Sequence, residues 1–149
     1  MGRAAVLAAA LGLVALGCRG DSATRAERVA WAEANAAAVE SFALDVASAR
    51  AAVNQGERTV VLTACRQVQT AVGQLPGRAL PVPDDEVDDL LGDAVRAAQA
   101  GVRSCLEGAT ASTSVPGQDL PEREDTLARF DEATRLLESV KAAVQGWRG

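Results

Sequence analysis

"VLTACRQVQTAVGQL", residues 61–75, sets the fold. Val61, Cys65, Val68, Val72 and Leu75 recur at steps of four, three, four and three. That is the period of a helix packing in a bundle. Thr63, Arg66, Gln67, Gln69, Thr70 and Gln74 fall between, so the segment reads as a half-buried helix from Arg58 to Leu75. One of the stripe residues is a cysteine, which places a thiol on the apolar face.

The same rule applies outward in both directions. Upstream, Ser22 to Asn54 carries Ala32, Asn35, Val39, Phe42, Val46, Ala49 and Val53 at bundle spacing. Thr24 with Glu27 forms a capping-box pair at its start, and Gly56 stops it. Downstream, "PGRALPVP", residues 76–83, reads as an extended breaker, because proline removes a helix hydrogen bond. A third helix then runs from Asp85 to Glu107, capped by Asp84, with Val87, Leu91, Ala94, Ala98, Val102 and Cys105 inward. "GATASTSVPGQD", residues 108–119, reads as a solvated connection. A fourth helix spans Pro121 to Trp147, with Asp119 and Glu122 as its cap pair. Its inward stripe is Leu127, Phe130, Thr134, Leu137, Val140 or Lys141, and Val144.

Composition agrees with an all-α class. Much of the 48% apolar content is alanine, the best helix former, and aromatic residues make up 3%. A core of Ala, Val and Leu has little bulk, so its helices must approach closely to fill space. The expectation is an up-down-up-down four-helix bundle; a three-helix core with a loosely packed fourth helix is the alternative. With 149 residues the chain supports one domain. Trp31 and Trp147, off the cleanest stripes, are expected to pack on each other.

The first residues are not part of that domain. Arg3 is followed by an uncharged run from Ala4 to Gly17, too short for a bilayer span of about 20 residues and of the size of a signal-peptide core. It ends Leu16-Gly17-Cys18, which resembles the lipobox of bacterial lipoprotein precursors. The resemblance covers the leader and Cys18 alone. It implies diacylglyceryl transfer to the Cys18 sulfur and cleavage between Gly17 and Cys18. Residues 1–17 are then a signal peptide, 18–23 a lipidated tether and 24–149 the helical domain. Two acyl chains hold a protein stably where one is marginal. The implied address is the extracytoplasmic face of the cell membrane.

An exported chain meets an oxidising environment. With Cys18 carrying lipid, Cys65 and Cys105 remain, both on apolar stripes, and they are expected to form one disulfide between the second and third helices.

Chemistry is sparse. The chain has no histidine, which removes the commonest general base and the commonest transition-metal ligand. Ser41, Ser48, Ser104 and Ser139 therefore lack an activating imidazole. No catalytic, cofactor or metal site is expected, and the chain is not read as an enzyme. The net charge of −5 shows no basic patch for nucleic acid. Asp84, Asp85, Glu86, Asp88, Asp89 and Asp93 are the densest charge cluster, but acids belong at a helix start. Arg19, Arg25 and Arg28 are expected toward lipid headgroups, with the more acidic parts pointing away. The reading is a membrane-anchored interaction or scaffold module of the cell envelope. A binder of a small molecule or divalent cation, with Asn35 and Thr134 lining a core cavity, is the second possibility.

Overall fold

The computed structural model describes residues 23–111 and 123–149. The leader, the Gly17–Cys18 junction, the tether up to Ser22, most of the polar connection and the Asp119–Glu122 cap pair lie outside the described residues. Four helices follow in order: α1 Arg25–Gln55, α2 Arg58–Ala79, α3 Asp85–Ala111 and α4 Arg123–Arg148. Among the described residues there is no strand, and no helix is long and apolar enough to cross a membrane.

Each helix packs on its two chain neighbours, with α4 closing the ring against α1. Side-chain links fix the directions. Asp45 of α1 accepts from Gln67 of α2 at 2.6 Å, and Trp31 reaches Ala79. Arg123 at the start of α4 donates to the Asn54 carbonyl at the end of α1 (2.8 Å), and Arg148 at the far end of α4 donates to the Ala32 carbonyl (2.8 Å). Neighbours are therefore antiparallel, and the topology is up-down-up-down. The three-helix alternative is set aside, because Phe130, Leu137 and Val140 of α4 are fully buried in the shared core.

Local chemistry explains the ends of α1. Thr24 and Glu27 form the reciprocal capping box, and Gly56 closes the helix in the left-handed region at φ 78°. The Arg123 guanidinium sits on the Asn54 carbonyl, one of the carbonyls left without a partner at a helix end, where positive charge also suits the dipole.

The inward stripes hold for α1, α2 and α3, with two exceptions. Asn35 is only half-buried, and so is Val72. On α4 the inward face is Phe130, Ala133, Leu136, Leu137, Val140 and Val144, while Leu127, Thr134 and Lys141 lie at its edge. Thr134 satisfies its hydroxyl on the Phe130 carbonyl of its own helix at 2.8 Å.

The proline segment differs from the sequence expectation. Pro76 does not end α2; the helix runs on to Ala79 with Pro76 inside it. A proline there sacrifices one backbone bond to Val72. The added turn buries Ala79 and offers its carbonyl to the Trp31 indole at 3.0 Å. The link to α3 then shrinks to residues 80–84, with a cis Leu80–Pro81 bond. Gly108 to Ala111 likewise extend α3 rather than begin the connection.

Close approach matters most between α3 and α4. Gly101 of α3 lies against Phe130, where an added Cβ would stand 2.8 Å from Cε1 and 2.9 Å from Cδ1. Beside it Ser104 and Thr126, both buried, share a hydrogen bond of 2.8 Å.

Candidate functional site

The disulfide is the best-defined covalent feature. Cys65 of α2 and Cys105 of α3 are bonded at 2.01 Å with Cα atoms 6.5 Å apart. Both are buried, at 0% and 4% exposure. Their positions on two apolar stripes bring them together. The longer α2 shortens the gap the antiparallel pairing must bridge: Cys65 lies fourteen residues before Ala79 and Cys105 twenty after Asp85. The helical rise leaves a difference of about 9 Å for the link 80–84 to cover. The clamp joins the two neighbours through the core, away from solvent.

The acidic cluster is distributed among structural tasks. Asp84 accepts from the Val87 N–H at 3.2 Å as the α3 cap, and its other oxygen meets Arg28 of α1 at 3.1 Å. Asp88 accepts from the Val82 N–H at 2.6 Å and so ties the link to the first turn of α3. Asp93 pairs with Arg96 on the same helix. Asp85, Glu86 and Asp89 face solvent. Among the described residues, no three cysteine or carboxylate groups gather as metal ligands would.

The cluster occupies the first turns of α3, as the sequence indicates. The antiparallel topology places the start of α3 beside the start of α1, so Asp84 to Asp89 share the end of the bundle that carries Arg25 and Arg28. Arg28 is turned to Asp84 rather than outward, and its Nε is buried without a hydrogen-bond partner. The start of α1 therefore lies at the acidic end of the bundle.

At that same end Trp31 and Trp147 pack edge to face, ring centroids 6.0 Å apart and planes at 78°, a favoured aromatic geometry. Asn35 donates to the Trp31 carbonyl one turn before it, at 3.0 Å. Asn35 and Thr134 thus each make a hydrogen bond to a carbonyl of their own helix. Of the serines, Ser139 bonds the Arg135 carbonyl and Ser104 bonds Thr126. Ser41 and Ser48 are exposed on α1.

Glu27 is held below the ordinary glutamate range, first by the Thr24 backbone N–H and then by the Thr24 hydroxyl.

Two surface features escaped the sequence reading. Leu44 of α1 is 64% exposed and Val60 of α2 is 41% exposed. A large apolar residue off the inward stripe was the available signal. Compared with protein-family models, curated proteins and solved structures, the chain matches none of them.

Proposed function

We propose that this chain is an extracytoplasmic lipoprotein, held at the cell membrane by a diacylglyceryl group on Cys18, that acts as a protein-interaction or scaffold module of the envelope. The observation that carries the reading is the Leu16-Gly17-Cys18 junction at the end of an uncharged run. A disulfide between the two remaining cysteines supports it, since such a bond persists in oxidising compartments. The position of α1 supports it as well: the helical domain begins at Thr24, directly after the tether. Six residues, fully extended, reach about 20 Å, so the domain stays close to its anchor.

Cell fractionation tests the anchor. The wild-type chain is expected in the membrane fraction and Cys18→Ser in the soluble extracytoplasmic fraction. Both forms in the same fraction contradict the proposal.

A further inference from the structure

A crevice of about 420 Å³ runs along the outside of α2 and α3, a size at which ligand sites are found. Its floor is apolar: Val102 is buried, and Val72 and Leu106 are half-buried. Gln69 and Gln99 stand exposed on opposite banks, each with an amide that both donates and accepts. At Gly73, which also lines the crevice, an added Cβ would meet nothing within 4 Å, so a bound backbone has room to approach.

The disulfide beneath sets the register of the two banks. Cys65 and Cys105 face each other with Cα atoms 6.5 Å apart. Arg66 follows Cys65 on α2, in the row of Gln69 and Gly73, and Arg103 lies two residues before Cys105 on antiparallel α3. The two arginines therefore stand within about 2 Å of the same height, one on each bank. Both are exposed. Elsewhere on the surface Arg50, Arg96, Arg129 and Arg135 meet carboxylates, while among the described residues Arg66 and Arg103 have no ion-pair partner. A carboxylate between two guanidinium groups is held by strong, charge-assisted hydrogen bonds. Because the arginines flank the disulfide, their backbone positions are fixed before a ligand arrives, which lowers the ordering cost of binding.

The rest of the crevice gives a charge order. Glu107, also lining it and without an ion-pair partner among the described residues, lies about 6 Å from the arginine level on one side. Val72 lies about 8 Å from that level on the other side. Alternate side chains of an extended chain share a face and repeat at about 7 Å. From Glu107 to Gly73 the crevice is about 15 Å long, enough for four extended residues. We infer that this crevice binds an extended peptide segment of a partner protein, in which an acidic residue has a basic residue two positions to one side and an apolar residue two positions to the other. The acid sits between Arg66 and Arg103, the base at Glu107 and the apolar side chain over Val72, with the peptide backbone served by Gln69 and Gln99. This names the partner chemistry of the interaction module proposed above and rests on that reading.

The test uses the processed full chain in detergent micelles, with its disulfide intact, and dye-labelled, end-capped pentapeptides followed by fluorescence anisotropy, with empty micelles as the blank. Lys-Thr-Glu-Thr-Leu and its reverse cover the two chain directions. Saturable binding of at least one is expected below about 1 mM and is expected to weaken as salt rises. Arg66→Gln and Arg103→Gln should each weaken it by about tenfold, with the melting temperature unchanged because both side chains are exposed. Arg129→Gln on α4 should leave it unchanged. Glu-Thr-Lys-Thr-Leu, with acid and base exchanged, should bind at least about tenfold more weakly. Absence of saturable binding by both probes, equal binding of the exchanged peptide, or insensitivity to Arg66→Gln and Arg103→Gln overturns the inference. Formaldehyde cross-linking in intact cells separates the two proposals: cross-links to an envelope protein with neither probe bound overturn the crevice alone, whereas loss of both overturns the interaction reading with it.

Discussion

Replacing Gly101 by alanine is the sharpest probe of how α3 meets α4. The new Cβ would lie 2.8 and 2.9 Å from two ring carbons of Phe130 and 3.2 Å from Cβ of Arg129. Carbon atoms rest at about 3.5–4.0 Å, so the ring must retreat by close to 1 Å. It has nowhere to go, because Phe130 is 0% exposed in a core packed as densely as a crystal. Overpacking of this kind costs about 1–3 kcal/mol. Alanine in place of an interior helix glycine returns about 1 kcal/mol of helix propensity. The clash outweighs the propensity, and a net loss of about 1 kcal/mol is expected, a fall in Tm of roughly 4 °C for a domain of this size. Gly73→Ala is the matched control, since a Cβ there meets nothing within 4 Å. It should gain up to about 1 kcal/mol. Urea unfolding followed by circular dichroism, with the disulfide intact, reads both. Phe130→Leu combined with Gly101→Ala should recover part of the loss, with a coupling of at least about 0.5 kcal/mol. If Gly101→Ala stabilises the protein as much as Gly73→Ala does, the close approach of α3 and α4 is wrong.

Three further outcomes follow from the same structure. Removing the clamp with Cys65→Ala and Cys105→Ala together should cost about 4 kcal/mol by the chain-entropy estimate for a separation of 40 residues, read as a lower urea midpoint. Ser104→Ala should cost about 1 kcal/mol, because it leaves the buried Thr126 hydroxyl without its partner, and the Ser104→Ala/Thr126→Val double variant should cost less than the sum of its singles. Glu27 has a folded pKa below its unfolded value, so its contribution to stability is present above the ordinary glutamate range and disappears as pH falls through the lower folded value. A pH series of thermal melts comparing wild type with Glu27→Gln should therefore show the gap between them closing in acid. A gap that widens in acid contradicts the capping geometry.

What could be read from the chain was what neighbours within a helix decide. The Thr24–Glu27 box, the Gly56 stop and the Asp84 cap each depend on three or four consecutive residues. The Cys65 and Cys105 stripes depend on spacing alone. Pro76 was misread because its local penalty is plain in the sequence. The compensation is not: burial of Ala79 and its bond to Trp31 involve a residue 48 positions away. The acidic cluster was correctly given to the start of α3, but its side of the molecule follows from antiparallel pairing, which no single helix reveals. Thr134 was placed inward because a fixed step of three or four drifts on a straight helix; Ala133 takes the core instead, and of the pair Val140 and Lys141 it is Val140 that is buried. Leu44 stayed unnoticed because an exposed apolar residue has no pattern of its own until the inward face is known.

The whole account can be put to one measurement: the intact mass of the protein extracted from membranes without reduction and exposed to a thiol alkylating reagent. The account predicts a chain beginning at residue 18, heavier by a diacylglyceryl group, with Cys65 and Cys105 unalkylated because they are joined. A mass matching the unprocessed sequence, an alkylated Cys18, or two alkylated cysteines at 65 and 105 contradicts it.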